Sequence, residues 1–305
     1  MGCQRKPARL SGFFSNFEIV SNIKNYLSLI KFSHTIFAMP FALIGFFLGT
    51  THSNNSLNWK LLGLVILCMI FARSAAMAFN RYIDREIDKA NPRTNMVREI
   101  PNGSIKAKSA LTFVIINCLM FIVTTWFINQ LCFYLSSIAL TVILGYSYTK
   151  RFTALCHLFL GLGLALAPLG AYLAVTAEFA LLPFFFSVAV LFWVGGFDII
   201  YSLQDESFDK TQNLYSIPVE TGKKQALHIA KVFHLITFFA LLYPATAYNF
   251  EKYYWIGFSI FSALLVYQHS LVKHDDLSKI NLAFFTTNGV ASVLFGIFVI
   301  IDLLS

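Results

Sequence analysis

Residues 60–88 read KLLGLVILCMIFARSAAMAFNRYIDREID, an apolar run that ends in regularly spaced carboxylates. A bilayer core about 30 Å thick takes roughly 20 helical residues, and the part from Lys60 to Tyr82 has that length. The stretch therefore predicts a helix that crosses a membrane and carries a charged stripe at one end.

Runs of this kind recur along the whole chain, which is 57% hydrophobic and 12% charged. Soluble domains average about 25% charged residues, so lipid must be the solvent for most of this chain. We predict an all-α, multi-pass membrane protein with about nine helices in one bundle. Residues 1–26 are expected to form an N-terminal tail and residues 27–305 a single domain. The nine predicted spans are Leu27–Thr50, Lys60–Tyr82, Ser109–Trp126, Leu131–Thr149, Ala154–Val175, Leu181–Leu203, Ala226–Asn249, Tyr253–Val272 and Asn281–Leu304.

The net charge of +8 is distributed unequally between the two sides of these spans. If the N-terminus is cytoplasmic, Lys60 and Lys252 are the only basic residues of 23 on the outer side. The positive-inside rule then predicts that the N-terminus and the long basic loops are cytoplasmic. We expect a bacterial inner-membrane protein with its active site on the same, cytoplasmic side. Because the basic residues already serve this topology and face an anionic leaflet, we expect lipid contact and no nucleic-acid partner.

The second span carries a polar stripe where it leaves the membrane. Helical residues advance about 100° each, which places Arg73, Asn80, Asp84 and Asp88 within one narrow stripe. The sixth span ends with the same arrangement.

Asp198, Tyr201, Asp205 and Asp209 follow one another at the end of the sixth span and share a stripe in the same way. Carboxylates at i and i+4 repel, so two such stripes on one face imply a compensating cation. Oxygen ligands without thiolates favour Mg²⁺, which also bridges carboxylates to phosphate oxygens. The simpler alternative is a solvated acidic helix end.

Basic residues around the stripes suit an anion held by the metal. Arg93 and Arg98 lie in the loop after the first stripe, and Lys150 and Arg151 end the fourth span. Arginine recognises phosphate or carboxylate through two parallel hydrogen bonds, whereas lysine acts as a point charge. Arg73 lies about two turns inside the second span, where contact with lipid is costly, and this predicts an inward functional role.

These motifs resemble those of the UbiA-type intramembrane aromatic prenyltransferases, and in particular the 4-hydroxybenzoate polyprenyltransferases. The family pattern N-x-x-x-D-x-x-x-D is matched by 80–88, and the pattern D-x-x-Y-x-x-x-D-x-x-x-D by 198–209. The family's Tyr-x-x-Thr-Lys-Arg stretch is matched from Tyr146 to Arg151, and the loops after both motifs are also similar. The resemblance extends over essentially the whole chain.

The resemblance implies Mg²⁺-dependent transfer of a polyprenyl group from polyprenyl diphosphate to an aromatic carboxylate of the 4-hydroxybenzoate type, in quinone biosynthesis. It implies that Tyr201 helps to position the donor and that the aspartates of both motifs carry the catalysis. The implied catalytic residues are Asp84, Asp88, Asp205 and Asp209. The implied metal ligands are Asn80, Asp84, Asp88, Asp198, Asp205 and Asp209. The implied substrate-binding residues are Arg73, Asn80, Arg98, Lys150, Arg151 and Tyr201.

Several alternatives remain open from the sequence. The stretch Leu155-Cys156-His157 resembles a menaquinone-pathway branch that prenylates a naphthoate, and His157 or His34 is a candidate contact of the acceptor. A haem or chlorophyll prenyltransferase has compatible motif spacing. From another class, a cation-coupled transporter would place its carboxylates near the middle of the membrane, between broken helices. The acids of this chain cluster instead at one face, which favours a cap over a membrane-embedded pocket.

Overall fold

The structure is a computed structural model that describes residues 24–30, 38–53 and 56–305. Within these residues the chain is all-helical and contains no β-strand, which confirms the predicted fold class. The helices in chain order are α1 (Met39–His52), α2 (Trp59–Ile83), α3 (Arg85–Ala90), α4 (Ala107–Trp126), α5 (Gln130–Thr149), α6 (Cys156–Thr176), α7 (Leu181–Ser202), α8 (Glu206–Thr211), α9 (Ile217–Ala247), α10 (Lys252–Leu271), a π-helical turn (Leu282–Thr287) and α11 (Asn288–Leu304).

Seven helical segments of the described chain are long and apolar enough to cross a membrane, so the protein is an integral membrane protein. They are Trp59–Ile83, Ala107–Trp126, Gln130–Thr149, Cys156–Thr176, Leu181–Ser202, Ile217–Ala247 and Leu282–Leu304. The predicted count of nine is not confirmed. Helix α1 begins after Ala38 and has only 14 residues, and the first predicted span includes residues 31–37, which lie outside the described chain. Helix α10 reaches 20 residues but is less apolar than these seven segments.

Helix α7 forms the centre of the bundle and packs between α6 and α9. Its inward side chains, Phe186 and Trp193, are fully buried against Phe41 of α1 and Phe295 of α11. The Trp193 indole N–H donates to Asn288 Oδ1 at 3.1 Å, so its polar atom is satisfied inside the core. This packing joins the two halves of the chain around one core.

The outer surface of the bundle is apolar, as a lipid environment requires. On α4, for example, Ile115, Leu119 and Val123 are each about half exposed and lie on one side of the helix. In water such a continuous apolar surface would drive aggregation, whereas in a bilayer it faces hydrocarbon.

Each of the two polar stripes lies on a helix that is interrupted once, between a long and a short helical segment. The sequence predicts an unbroken helix through Asp88, but α2 ends at Ile83, and Asp84 has φ −88° and ψ 3° before α3 begins. Asp is a poor helix-interior residue because its side chain competes for nearby backbone groups. The Asp84 N–H still bonds Asn80 O at 2.9 Å, and the Asp88 N–H bonds Asp84 O at 2.8 Å, so the stripe persists across the break.

The second stripe repeats this construction. Helix α7 ends at Ser202, and the six-residue helix α8 begins directly after Asp205, as the six-residue helix α3 begins directly after Asp84. In both short helices the next aspartate, Asp88 or Asp209, lies in the first turn. A negative charge there is favoured by the helix dipole.

Candidate active site

Asp84 is the centre of the first motif and is almost completely buried, at 1% exposed. Lys150 Nζ lies 2.7 Å from its Oδ2, and Arg151 Nη2 lies 3.0 Å from its Oδ1. The Asn80 amide donates to the same Oδ2 at 3.1 Å. Because α5 and α2 end at the same face of the bundle, the basic end of α5 meets the acidic end of α2 there. The structure thus brings four predicted residues into one contact network.

Asp88 lies one turn further along and is buried as well, at 3% exposed. Arg98 binds its Oδ1, as expected for a partner from the loop after the motif. Its other oxygen, Oδ2, is buried and has no hydrogen-bond partner among the described residues. A buried carboxylate oxygen without a partner is costly, so this atom is suited to a ligand.

The second motif is tied to the loop of the first. Arg93 binds both oxygens of Asp205 in a fork, with Nε 2.9 Å from Oδ1, and its Nη1 donates to the Tyr201 hydroxyl at 3.2 Å. Asn91 also donates to Asp205 Oδ1, at 3.3 Å. Burial alone would lower the pKa of Arg93, but the hydrogen bond and charge of Asp205 outweigh it and raise that pKa. Arg93 therefore stays cationic and holds the two motif loops together.

Asp209 differs from the other motif aspartates because its carboxylate has neither an ion pair nor a side-chain hydrogen bond in the described chain. Burial, followed by the negative charge of Asp205, raises the pKa of its carboxyl to about 6, against the opposing effect of Lys150 and Arg93. Its ionised form is thus incompletely compensated by the protein, and a bound cation would stabilise it.

Asp198, the innermost acid, lies in α7 against the start of α6. Its Oδ2 is 2.7 Å from His157 Nδ1, and the His157 side chain is 2% exposed. His157 is a buried partner of a motif residue; His34 lies outside the described residues.

Arg73 faces an apolar cavity of about 330 Å³ between α2, α4, α5 and α6. Tyr146 lines the same cavity, and the remaining walls are mostly aliphatic. The Nε atom of Arg73 is buried without a partner, and no hydrogen bond or ion pair engages the guanidinium in the described residues. A cationic donor at the end of an apolar cavity is suited to the anionic end of an otherwise apolar molecule.

The described residues contain no group of three or more His, Cys, Asp or Glu side chains that could hold a metal as they stand. Three of the motif aspartates, Asp84, Asp88 and Asp205, form ion pairs with nearby Lys or Arg side chains. The donor set nevertheless fits Mg²⁺. It consists of oxygens, and it includes the buried, unpartnered Oδ2 of Asp88 and the carboxylate of Asp209, whose pKa is raised by burial.

The sequence predicted Arg93 as one of the basic residues around the stripes, but not its contact, and it did not predict Asn91 as a site residue. Both residues join the loop of the first motif to Asp205. The Asn-Pro-Arg-Thr segment three residues after Asp88 resembles the family's loop but indicates neither contact. Arg81 and Arg85, which with Lys89 could have neutralised the first stripe locally, form no ion pair with Asp84 or Asp88 among the contacts described.

Comparison with known proteins identifies the family of this chain. The model of the UbiA prenyltransferase family matches residues 38–290 of the chain. The chain belongs to the UbiA prenyltransferase family. The predicted assignment as a prenyltransferase is thereby confirmed. The transporter alternative is excluded, because the match spans most of the chain, including both motifs.

Individual relatives of this UbiA-family chain agree with the match. It is 29% identical over 238 residues to the 4-hydroxybenzoate octaprenyltransferase of Vibrio parahaemolyticus serotype O3:K6, covering 78% of this chain and 83% of the relative. It is 29% identical over 223 residues to the protein of that name from Tolumonas auensis, covering 73% and 77%.

Solved structures show the same fold. The apo UbiA homologue from Aeropyrum pernix K1 has a TM-score of 0.80 at 27% identity, covering 88% of this chain and 98% of that one. The UbiA homologue from Archaeoglobus fulgidus bound to GPP and Mg²⁺ has a TM-score of 0.71 at 21% identity, covering 92% and 100%.

The Arg93 fork leads to a direct prediction about this UbiA-family site. Replacing Arg93 by Gln removes the charged tie between the two motif loops, and we expect kcat/KM for the prenyl donor to fall about 10–100-fold, as for other residues that orient active-site ligands. The matched control is Arg85→Gln, because the ion pair of Arg85 is with the exposed Glu86. Equal activity of the two variants would contradict the role of Arg93.

Proposed function

We propose that this protein transfers a polyprenyl group from polyprenyl diphosphate to an aromatic carboxylate of the 4-hydroxybenzoate type, with Mg²⁺, in quinone biosynthesis. The observation that carries the proposal is the pair of matched aspartate-bearing helix ends, one at Asp84–Asp88 and one at Asp205–Asp209. Both lie at the same face of the bundle and both are lined by cations.

The basic residues are suited to receive a diphosphate. Lys150 and Arg151 are about 30% exposed on one side while they hold Asp84 on the other, so phosphate oxygens can reach them from the same face. We propose that Asn80 and the motif aspartates hold Mg²⁺, directly or through water, and that Arg98 and Tyr201 orient the donor. Bound there, Mg²⁺ would neutralise the diphosphate and stabilise it as a leaving group.

The apolar cavity suits the hydrocarbon part of the reaction. Its aliphatic walls exclude water, which would otherwise capture an electron-poor allylic carbon before the aromatic ring does. We propose that Arg73, the cationic group on this cavity, holds the carboxylate of the acceptor or the diphosphate of the donor. The names of the curated relatives support the 4-hydroxybenzoate acceptor, and the GPP- and Mg²⁺-bound homologue supports the donor and the metal.

We further propose that residues 27–305 form one domain, preceded by a tail at 1–26, in a bacterial inner membrane. The positive-inside distribution supports an N-terminus and an active site on the cytoplasmic side. Bacterial relatives support the bacterial membrane.

A naphthoate acceptor is the second candidate, favoured by the Leu155-Cys156-His157 stretch after the fourth span. Membranes that contain the protein, supplied with radiolabelled polyprenyl diphosphate, Mg²⁺ and both acids, separate the two. We expect prenylated 4-hydroxybenzoate as the main labelled product. Labelled naphthoate product alone would move the enzyme to the menaquinone branch, and product from neither acid would overturn the proposal.

A further inference from the structure

His157 occupies a position between three elements of the site. It lies in the first turn of α6, its ring is buried, and its two nitrogens bond to two different segments. Nδ1 lies 2.7 Å from Asp198 Oδ2 on α7. Nε2 accepts the backbone N–H of Ile217, the first residue of α9, at 3.3 Å.

These contacts fix the tautomer of the ring. A backbone N–H can only donate, so His157 Nε2 must carry a lone pair, and the proton of a neutral imidazole then lies on Nδ1. Nδ1–H donates to the carboxylate of Asp198. The bond occupies only Oδ2, and no hydrogen bond to Oδ1 occurs within the described part of the chain. Asp198 is therefore oriented by one oxygen and keeps the other available.

Close packing of α6 against α7 holds His157 beside Asp198. Gly161, one turn after His157, touches α7 so tightly that a Cβ on it would lie 2.2 Å from the carbonyl oxygen of Leu191. Leu191 is two turns before Asp198, and the two helices run antiparallel, so the same close approach brings His157 to Asp198.

His157 also connects Asp198, at the start of the second motif, with the end of the loop that follows the motif. Ile217 follows the loop that carries Asp205 and Asp209, and the neighbouring Tyr215 N–H bonds Lys150 O at 2.8 Å. One imidazole thus sets Asp198 relative to the end of that loop.

We propose that His157 is a positioning residue that orients Asp198 as a magnesium ligand of the second motif. Residues that hold a metal ligand through a second hydrogen bond contribute about 10–100-fold to metal affinity. The inference rests on the proposed function, because it requires that Asp198 bind the metal.

The two nitrogens of the ring can be tested separately. The side-chain nitrogen of Asn is as many bonds from Cβ as His Nδ1, and the terminal group of Gln is as many bonds from Cβ as His Nε2. His157→Asn therefore keeps the donor to Asp198, while His157→Gln keeps the acceptor for Ile217 and loses that donor. His234→Gln is the matched control, since His234 is an equally buried histidine on α9 that bonds His269 and the Trp193 carbonyl.

The measurement is the Mg²⁺ concentration that gives half-maximal prenyl transfer, together with the melting temperature of each purified variant. We expect His157→Gln to raise this concentration about 10–100-fold, with His157→Asn within about threefold of the parent by the same reasoning. A purely structural histidine would lower the melting temperature and leave the half-saturating Mg²⁺ unchanged, as we expect for His234→Gln.

A parental Mg²⁺ dependence in His157→Gln, or an equal shift in His157→Asn, would overturn the inference. If His157→Gln does not fold, the His157→Asn result alone decides, because a shifted Mg²⁺ dependence there contradicts the role of Nδ1 and an unshifted one supports it. Failure of the proposed function has a different signature, since the parent protein itself would then transfer the prenyl group without Mg²⁺.

Discussion

Replacing Asp84 by Asn is expected to abolish prenyl transfer while the protein stays folded in the membrane. The amide has the same shape as the carboxylate but no charge, so the proposed metal loses a ligand. Lys150 and Arg151 lose their counter-ion at the same time, but both are about 30% exposed and can remain hydrated. We expect kcat to fall by about 10²–10³-fold or more, the scale for removing one preorganised charge partner.

Glu86→Gln is the control for this variant. Glu86 is two residues further along the chain, its side chain is 77% exposed, and among the described residues it pairs only with Arg85. Because it lies off the stripe, neutralising it should leave activity within about twofold, as for most exposed surface substitutions. Transfer rates measured in membranes with equal amounts of each variant check this. Full activity of Asp84→Asn would refute the metal assignment.

Replacing Arg73 by Met is expected to separate stability from activity. The guanidinium lies in a membrane span without a protein partner among the described residues, and a charge at that depth costs about 2.5–3.5 kcal/mol on insertion scales. Met fills similar space without charge, so we expect the melting temperature to hold or rise. Prenyl transfer should fall about 100-fold, because the anionic end of a substrate loses its cation.

Lys60→Met is the matched control for Arg73→Met, because it removes a cation from the first turn of the same helix, away from the cavity. We expect it to leave transfer unchanged. Thermal melting in detergent and steady-state kinetics for both substrates measure the two effects. A clear fall in the melting temperature of Arg73→Met would show that Arg73 is a structural residue.

Much of this architecture could be predicted from the sequence. Apolar runs of bilayer length predict spanning helices directly, and a periodicity of about 100° is enough to place Asn80, Asp84 and Asp88 on one stripe. The break at Asp84 could not be predicted, because the backbone bonds of the helix continue across it. The number of membrane spans could not be predicted either, since polar residues make α10 less apolar than the seven spanning segments.

The contacts between the side chains of the site could be predicted only in part. Lys150 and Arg151 were candidates because they end a span on the same face, but their contact with Asp84 depends on how α5 packs against α2. Arg93 and Asp205 are more than a hundred residues apart, and only tertiary folding brings them together. His157 is the clearest case, because its contact with Asp198 depends on the close approach of α6 and α7.

The most direct test of the account is binding of a prenyl donor that cannot react. Geranyl S-thiolodiphosphate, titrated into the purified protein by calorimetry with Mg²⁺ or with EDTA, reports the site without turnover. We predict binding only with Mg²⁺, and loss of binding both in Asp84→Asn and in Asp209→Asn, because each removes a carboxylate from one of the two motifs. Equal binding in EDTA, or unchanged binding in either variant, would contradict a shared magnesium–diphosphate site.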